Sequence, residues 1–132
     1  MASGERTYYG TRARKLGAKP GMRALLVDVP DESLAAELEE AGMELVNGPR
    51  VKADVVFVGV RSVAELAKIT RFKARIPKDG TLWLIRPKGQ DTPVSERAAM
   101  EAGLASGLVD VKVVSFSETH SALKYVYRLH DR

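Results

Sequence analysis

Cysteine is absent from the 132-residue chain. That removes disulfides, thiolate metal sites and cysteine nucleophiles, and it fits a reducing compartment. Histidine is scarce. His120 and His130 are the only two, and without thiolates they make no metal-ligand pattern. Long apolar runs are missing too. The longest, residues 55–60, falls far short of the ~20 that a membrane-spanning helix needs. Residues 1–19 are polar and basic, which predicts no signal peptide and a soluble, cytoplasmic protein.

What is present suits one folded domain. Hydrophobic residues make up 45% and charged residues 29%, enough apolar surface for a core. A chain of this length buries roughly 70% of its unfolded surface without staples. Residues 1–132 read as a single domain, with 1–18 as an N-terminal arm and a short helix that Thr11 caps and Gly17 stops. The net charge of +4 is a mild basic excess that keeps weak nucleic-acid binding among the candidate functions. The basic runs Arg12, Arg14, Lys15, Lys19 and Arg71, Lys73, Arg75, Lys78 hold no interleaved aromatics to stack on bases, so they read as solvated faces.

Short apolar runs between turn residues set out the elements. Residues 23–29 read as a strand buried on both faces, because Ala24 to Val27 are all apolar. Pro30 stops it. A helix over 31–41 follows, with Leu34, Leu38 and Ala41 on one stripe and Gly42 at its end. Residues 43–46 form a short strand closed by Asn47-Gly48-Pro49. Residues 54–60 are the clearest strand. Ser62 and Glu65 make a capping box for a helix over 62–75. Residues 81–86 are another buried strand, and Trp83 in it reads as core. Thr92-Pro93 opens a helix to about Ser106, with the cap first and proline next. Strands 109–117 and 121–129 are linked by three residues, a span only an antiparallel hairpin allows.

These elements predict a three-layer α/β fold of Rossmann-like type. It has a mostly parallel sheet of about six strands, helices on both faces and a C-terminal antiparallel hairpin. In such sheets ligands sit beyond the carboxyl ends of the strands. Those ends are residues 28–31, 59–62, 86–89 and the hairpin tip 117–120. Arg61, Ser62, Arg86 and Lys88 fall there, and the cations are suited to a phosphate or carboxylate. The alternative is that loop residues are charged because loops are solvated. His120, beside Glu118 and Ser121, is either a proton-transfer group facing the same edge or a solvated turn histidine. Asp28 and Asp31 resemble the acidic cluster of response-regulator receivers, but Gly59, Val60 and Arg61 supply no phosphorylatable aspartate, which excludes that reading. Asp31 then reads as a helix cap.

Lys19-Pro20-Gly21 before an apolar strand, Asp54-Val55-Val56-Phe57-Val58, and Lys78-Asp79-Gly80-Thr81-Leu82-Trp83 resemble the first, fourth and fifth strand regions of Rossmann-type, S-adenosylmethionine-dependent methyltransferases. The closing hairpin is similar as well. Across nearly its whole length the chain also resembles a family of short bacterial proteins without an established activity, through residues 15–21, 80–88, 102–110 and 123–132. The methyltransferase resemblance implies a glycine-rich turn after the first strand, where the cofactor approaches the backbone. Here Val27-Asp28-Val29-Pro30-Asp31-Glu32 holds no glycine. Asn47 stands where an acidic residue would hold the ribose, and one strand-helix unit is missing. The expectation is therefore no cofactor, with S-adenosylmethionine disfavoured. The expected function is a non-catalytic, methyltransferase-like domain that binds a small anionic molecule or a protein partner. The alternatives are a minimal S-adenosylmethionine-dependent methyltransferase and a weak nucleic-acid binder. An exposed edge strand at the hairpin allows a homodimer.

Overall fold

The computed structural model describes residues 12–132. The expected Thr11 cap and the arm before it lie outside that range. Residues 12–15 are helical, and Gly17, at φ 75°, turns the chain out of that helix.

Six strands form one sheet: β1 (Arg23–Val27), β2 (Glu44–Val46), β3 (Val55–Gly59), β4 (Thr81–Pro87), β5 (Leu108–Ser115) and β6 (His120–Tyr127). Their order is β2-β1-β3-β4-β6-β5. β1 pairs in parallel with β2 and β3, and β3 with β4. β6 is antiparallel to both β4 and β5, so it alone runs against the rest. The helices are α1 (Ser33–Glu40), α2 (Lys68–Lys73) and α3 (Glu96–Ala105). This is the mostly parallel, hairpin-terminated α/β sheet that the apolar runs predict.

The apolar runs are continuous because the sheet is covered on both faces. All five residues of β3 are buried. One face packs Val56, Val58, Leu82, Leu84, Leu123 and Tyr125 with Leu66, Ile69, Phe72 and Ala99 from the segments around α2 and α3. The other packs Ala24, Phe57, Trp83 and Ile85 with Leu34 and Leu38 of α1 and with Leu16. Trp83 is core, as its strand position implies, and its Nε1 donates to the carbonyl of Leu16 at 3.1 Å.

Two helices begin differently from the sequence reading. The helix expected over 62–75 is split into a 3-10 turn, Ala64–Ala67, and α2. Ser62 does accept the Glu65 N–H at 3.3 Å, but the Glu65 carboxylate accepts from the N–H of Arg61 at 2.7 Å. The capping box is thus displaced by one residue, and the tighter turn leads into α2. α3 starts at Glu96. Its cap is Ser95, which is extended and accepts the Ala98 N–H at 3.0 Å. Thr92 instead closes a local turn by accepting the Val94 N–H at 3.2 Å.

Gly103 on α3 lies against the ring of Tyr125, whose hydroxyl donates to the Ala99 carbonyl. A Cβ there would stand 2.1 Å from Tyr125 Cε1. Gly103→Ala gains about 1 kcal/mol of helix propensity. Overpacking a buried contact costs about 1–3 kcal/mol. The expected net effect is a loss of stability, read as a lower urea midpoint. A higher midpoint would show that Tyr125 moves aside freely.

Candidate functional site

The chain leaves β1 for β2 on one side and then returns to β3 on the other, which makes the β1–β3 boundary the switch point of the sheet. Crevices form there because adjacent crossovers diverge. Two are found at this edge. The smaller, about 320 Å³, is walled by Asp28, Val29, Pro30, Gly59, Val60, Arg61, Ile85 and His120. The larger, about 480 Å³, lies between Arg12, Pro30 to Glu32 and the hairpin tip Phe116 to His120. Pro30 and His120 border both.

The turn after β1 explains how a crevice opens without a glycine. Asp28 itself takes φ 53°, the left-handed conformation that glycine ordinarily supplies. Aspartate visits this region more readily than most residues because its short polar side chain is satisfied locally. The glycine is across the sheet. A Cβ on Gly59 would sit 2.1 Å from the carbonyl oxygen of Asp28, so only glycine lets the β1 turn approach β3 so closely.

Charged side chains fasten this turn. Lys68 Nζ donates to the Asp28 carboxylate at 2.9 Å and to the Gly59 carbonyl at 3.0 Å, and it lies 3.5 Å from Glu65. Glu65 also accepts from the Arg61 guanidinium at 3.0 Å. The Arg61 side chain and then its backbone N–H hold the Glu65 carboxyl down at about 2.

Arg12 forms the wall of the larger crevice. Its guanidinium grips Glu37 in two hydrogen bonds of 2.7 Å each, and donates to Asp31 at 2.9 Å and to the Phe116 carbonyl at 3.0 Å. It also stacks 4.5 Å from the centre of the Phe116 ring. The Glu37 side chain is 3% exposed, so this pairing is what allows a carboxylate there. Asp31 accepts the N–H of Ser33 at 2.9 Å, just ahead of α1, close to its expected capping role. Burial raises the Asp31 pKa, but the bonds from Ser33 and Arg12 prevail and hold it below the usual carboxylate range.

The expected site residues separate in space. Arg61 and His120 border the smaller crevice. Ser62, Arg86 and Lys88 line neither crevice. Ser62 caps the 3-10 turn. Arg86 is 7% exposed, donates to the carbonyls of Val94 at 3.1 Å and Pro87 at 3.2 Å, and lies 3.6 Å from Glu96. One guanidinium nitrogen, Nη1, makes both of these bonds and ties Arg86 to the loop before α3. Lys88 donates to the Ser115 hydroxyl at 3.0 Å. His120 has its Nδ1 2.8 Å from the Thr119 hydroxyl. Burial pushes its pKa below the ordinary histidine value, over the opposing pull of Asp31 and with a smaller push from Lys88. Among the described residues no group of three His, Asp or Glu side chains is placed to hold a metal, and no helix is long and apolar enough to cross a membrane.

Sequence reasoning missed Arg12, Glu37 and Lys68. Lys68 carries no sequence signal. Glu37 does, since it falls on the stripe between Leu34 and Leu38 and so implies a buried partner.

No protein-family model matches the sequence, and no curated protein matches it. Solved structures do. Fibrillarin from Aeropyrum pernix, in complex with natively bound S-adenosyl-L-methionine, is 14% identical, with a TM-score of 0.63 over 88% of this chain and 73% of that one. The Burkholderia thailandensis 1,6-didemethyltoxoflavin-N1-methyltransferase, with bound S-adenosylhomocysteine, is 12% identical, with a TM-score of 0.61 over 91% and 76%. An O-methyltransferase family 2 protein from Planctomyces limnophilus is 12% identical, with a TM-score of 0.66 over 96% and 60%. The chain has the fold of S-adenosylmethionine-dependent methyltransferases.

That finding corrects the expectation of no cofactor. The fold is one that holds S-adenosylmethionine or S-adenosylhomocysteine in fibrillarin and in the didemethyltoxoflavin enzyme. The absent glycine loop was the ground for that expectation. It fails because Asp28 makes the left-handed bend and Gly59 takes the close approach, so the turn after β1 still borders an open crevice.

Two outcomes test the forces at this edge. Arg12→Ala leaves Glu37 as a buried, unpaired carboxylate, and the expected loss is about 3 kcal/mol by chemical denaturation. An unchanged midpoint would mean that Glu37 reaches water. Glu65 has a folded-state pKa of about 2, below its ordinary value. Its contribution to stability is therefore complete above the ordinary carboxylate range and lost as the pH falls towards 2. Glu65→Gln should flatten the acid side of the stability profile, and an identical profile would remove the Arg61–Glu65 pair from the account.

Proposed function

We propose that this chain binds S-adenosylmethionine in the crevice between the ends of β1 and β3 and acts as a small methyltransferase. The observation that carries this reading is the crevice itself. It lies at the switch point of a methyltransferase fold, bordered by a left-handed residue after β1 and by a glycine ending β3. The similar structures support the choice of ligand, since fibrillarin holds the methyl donor and the didemethyltoxoflavin enzyme its demethylated product.

Each border has a chemical part in this reading. The backbone of Asp28 to Pro30 and of Gly59 to Arg61 offers the surface on which the ligand rests. Asn47, exposed directly after β2, is the candidate for the ribose hydroxyls, since its amide both donates and accepts. When bound, the ligand supplies an electrophilic methyl group. Lys68 neutralises Asp28 and fixes the turn. The larger crevice, on the far side of Pro30 and His120, is the place for a methyl acceptor. His120 borders both spaces, and in the tautomer whose Nδ1–H donates to the Thr119 hydroxyl its Nε2 is free to take a proton.

Titration calorimetry with S-adenosylmethionine and S-adenosylhomocysteine tests the reading. Saturable binding of either is expected. Gly59→Ala should weaken it at least tenfold, because the added Cβ displaces the Asp28 carbonyl that the turn depends on. Asn47→Ala should weaken it severalfold without changing the circular dichroism spectrum. Silence from both ligands at millimolar concentration would sink the proposal. Undiminished binding in a folded Gly59→Ala protein would place the ligand elsewhere.

A further inference from the structure

The smaller crevice is poor in free backbone donors. Pro30, on its border, has no N–H. The Val60 N–H is spent on the Ile85 carbonyl at 3.0 Å, and the Arg61 N–H on the Glu65 carboxylate at 2.7 Å. An anionic group entering this space therefore looks to a side chain. The ionisable residues on the border are Asp28, Arg61 and His120. Arginine keeps its charge at any working pH, so Arg61 is the permanent cation of this border among the described residues.

The nearby cations have other work. Arg12 is forked onto Glu37, and Lys68 is held by Asp28 and the Gly59 carbonyl. Arg86 is tied to the loop before α3. The Lys68 side chain is 18% exposed and those of Arg12 and Arg86 less, whereas that of Arg61 is 85% exposed.

The bond that holds Arg61 is one that can be exchanged. Its Nη2 donates to Glu65 Oε2 at 3.0 Å, and this is its one ion pair among the described residues. A guanidinium carries five N–H donors, so most of them remain for a second acceptor. An exposed pair four residues apart contributes little to stability. Glu65 is not stranded when the guanidinium turns away. Its Oε1 keeps the Arg61 N–H and stays 3.5 Å from Lys68 Nζ.

S-adenosylmethionine ends in an amino acid, and its carboxylate needs donors of this kind. Resting on the reading that the smaller crevice holds this molecule, we propose that Arg61 binds that carboxylate and so selects for the amino-acid end of the ligand. One side chain at the end of β3 then supplies the anion recognition that backbone N–H groups of a glycine-rich turn can give. The planar fork of a guanidinium matches the two oxygens of a carboxylate.

Titration calorimetry of the full chain with S-adenosylmethionine and with its decarboxylated form tests this role, since the two ligands differ in the carboxylate alone. The wild type should prefer the complete ligand by about tenfold or more, the step expected of a charge-assisted bond. Arg61→Ala should erase that preference by weakening the complete ligand only. The fold should survive, because the side chain is exposed and its ion pair lies on the surface, and circular dichroism checks this. Two kinds of failure are distinct. A wild type that binds neither ligand removes the crevice reading, and the role of Arg61 with it. A wild type that binds both equally overturns the role of Arg61 and leaves the crevice reading standing. So does a folded Arg61→Ala protein that keeps the full preference or weakens both ligands alike.

Discussion

The buried pairing of Arg12 with Glu37 is the constraint on which this end of the molecule depends. A carboxylate 3% exposed is sustained only by a partner that meets both oxygens, and the guanidinium does so in a parallel fork. The same group reaches Asp31, the Phe116 carbonyl and the Phe116 ring. One cation thus fixes three segments distant in sequence: the first described helical turn, α1 with the loop before it, and the approach to the hairpin tip. The larger crevice is the space these segments leave between them.

The strands were legible because a sheet covered on both faces demands continuous apolar runs. Residues 55–58 and 82–85 are such runs, and all eight side chains are buried. Helix starts were less legible, because Ser62, Thr92 and Ser95 all carry capping chemistry and the choice among them is made by tertiary contacts. Thr92 is drawn into a turn with Val94, whose side chain is fully buried, and this leaves the cap to Ser95.

Crevices do open at the strand ends where the topology leads one to look, but the backbone that shapes them is not the one expected. Glycine was sought in the turn after β1, whereas the steric demand falls on its neighbour, Gly59, and the left-handed bend on Asp28. No pattern within one strand shows such an exchange, since it concerns two strands 31 residues apart along the chain. The ties that hold the turn are equally remote: Lys68 meets Asp28 across 40 positions, and Arg12 meets Glu37 across 25. Arg86 illustrates the converse. Its strand-end position suggested an anion, yet burial commits it to the carbonyls of the loop that precedes α3.

Trp83 is the only tryptophan in the chain, and its indole is 1% exposed beneath the carbonyl of Leu16. Under excitation selective for tryptophan the emission therefore has a single source, and residues 12–16 are part of what covers it. Detachment of that turn admits water to the indole and shifts the emission to longer wavelength while the parallel strands stay paired. The molecule carries an optical gauge of one local docking event, readable apart from global unfolding and without an attached dye.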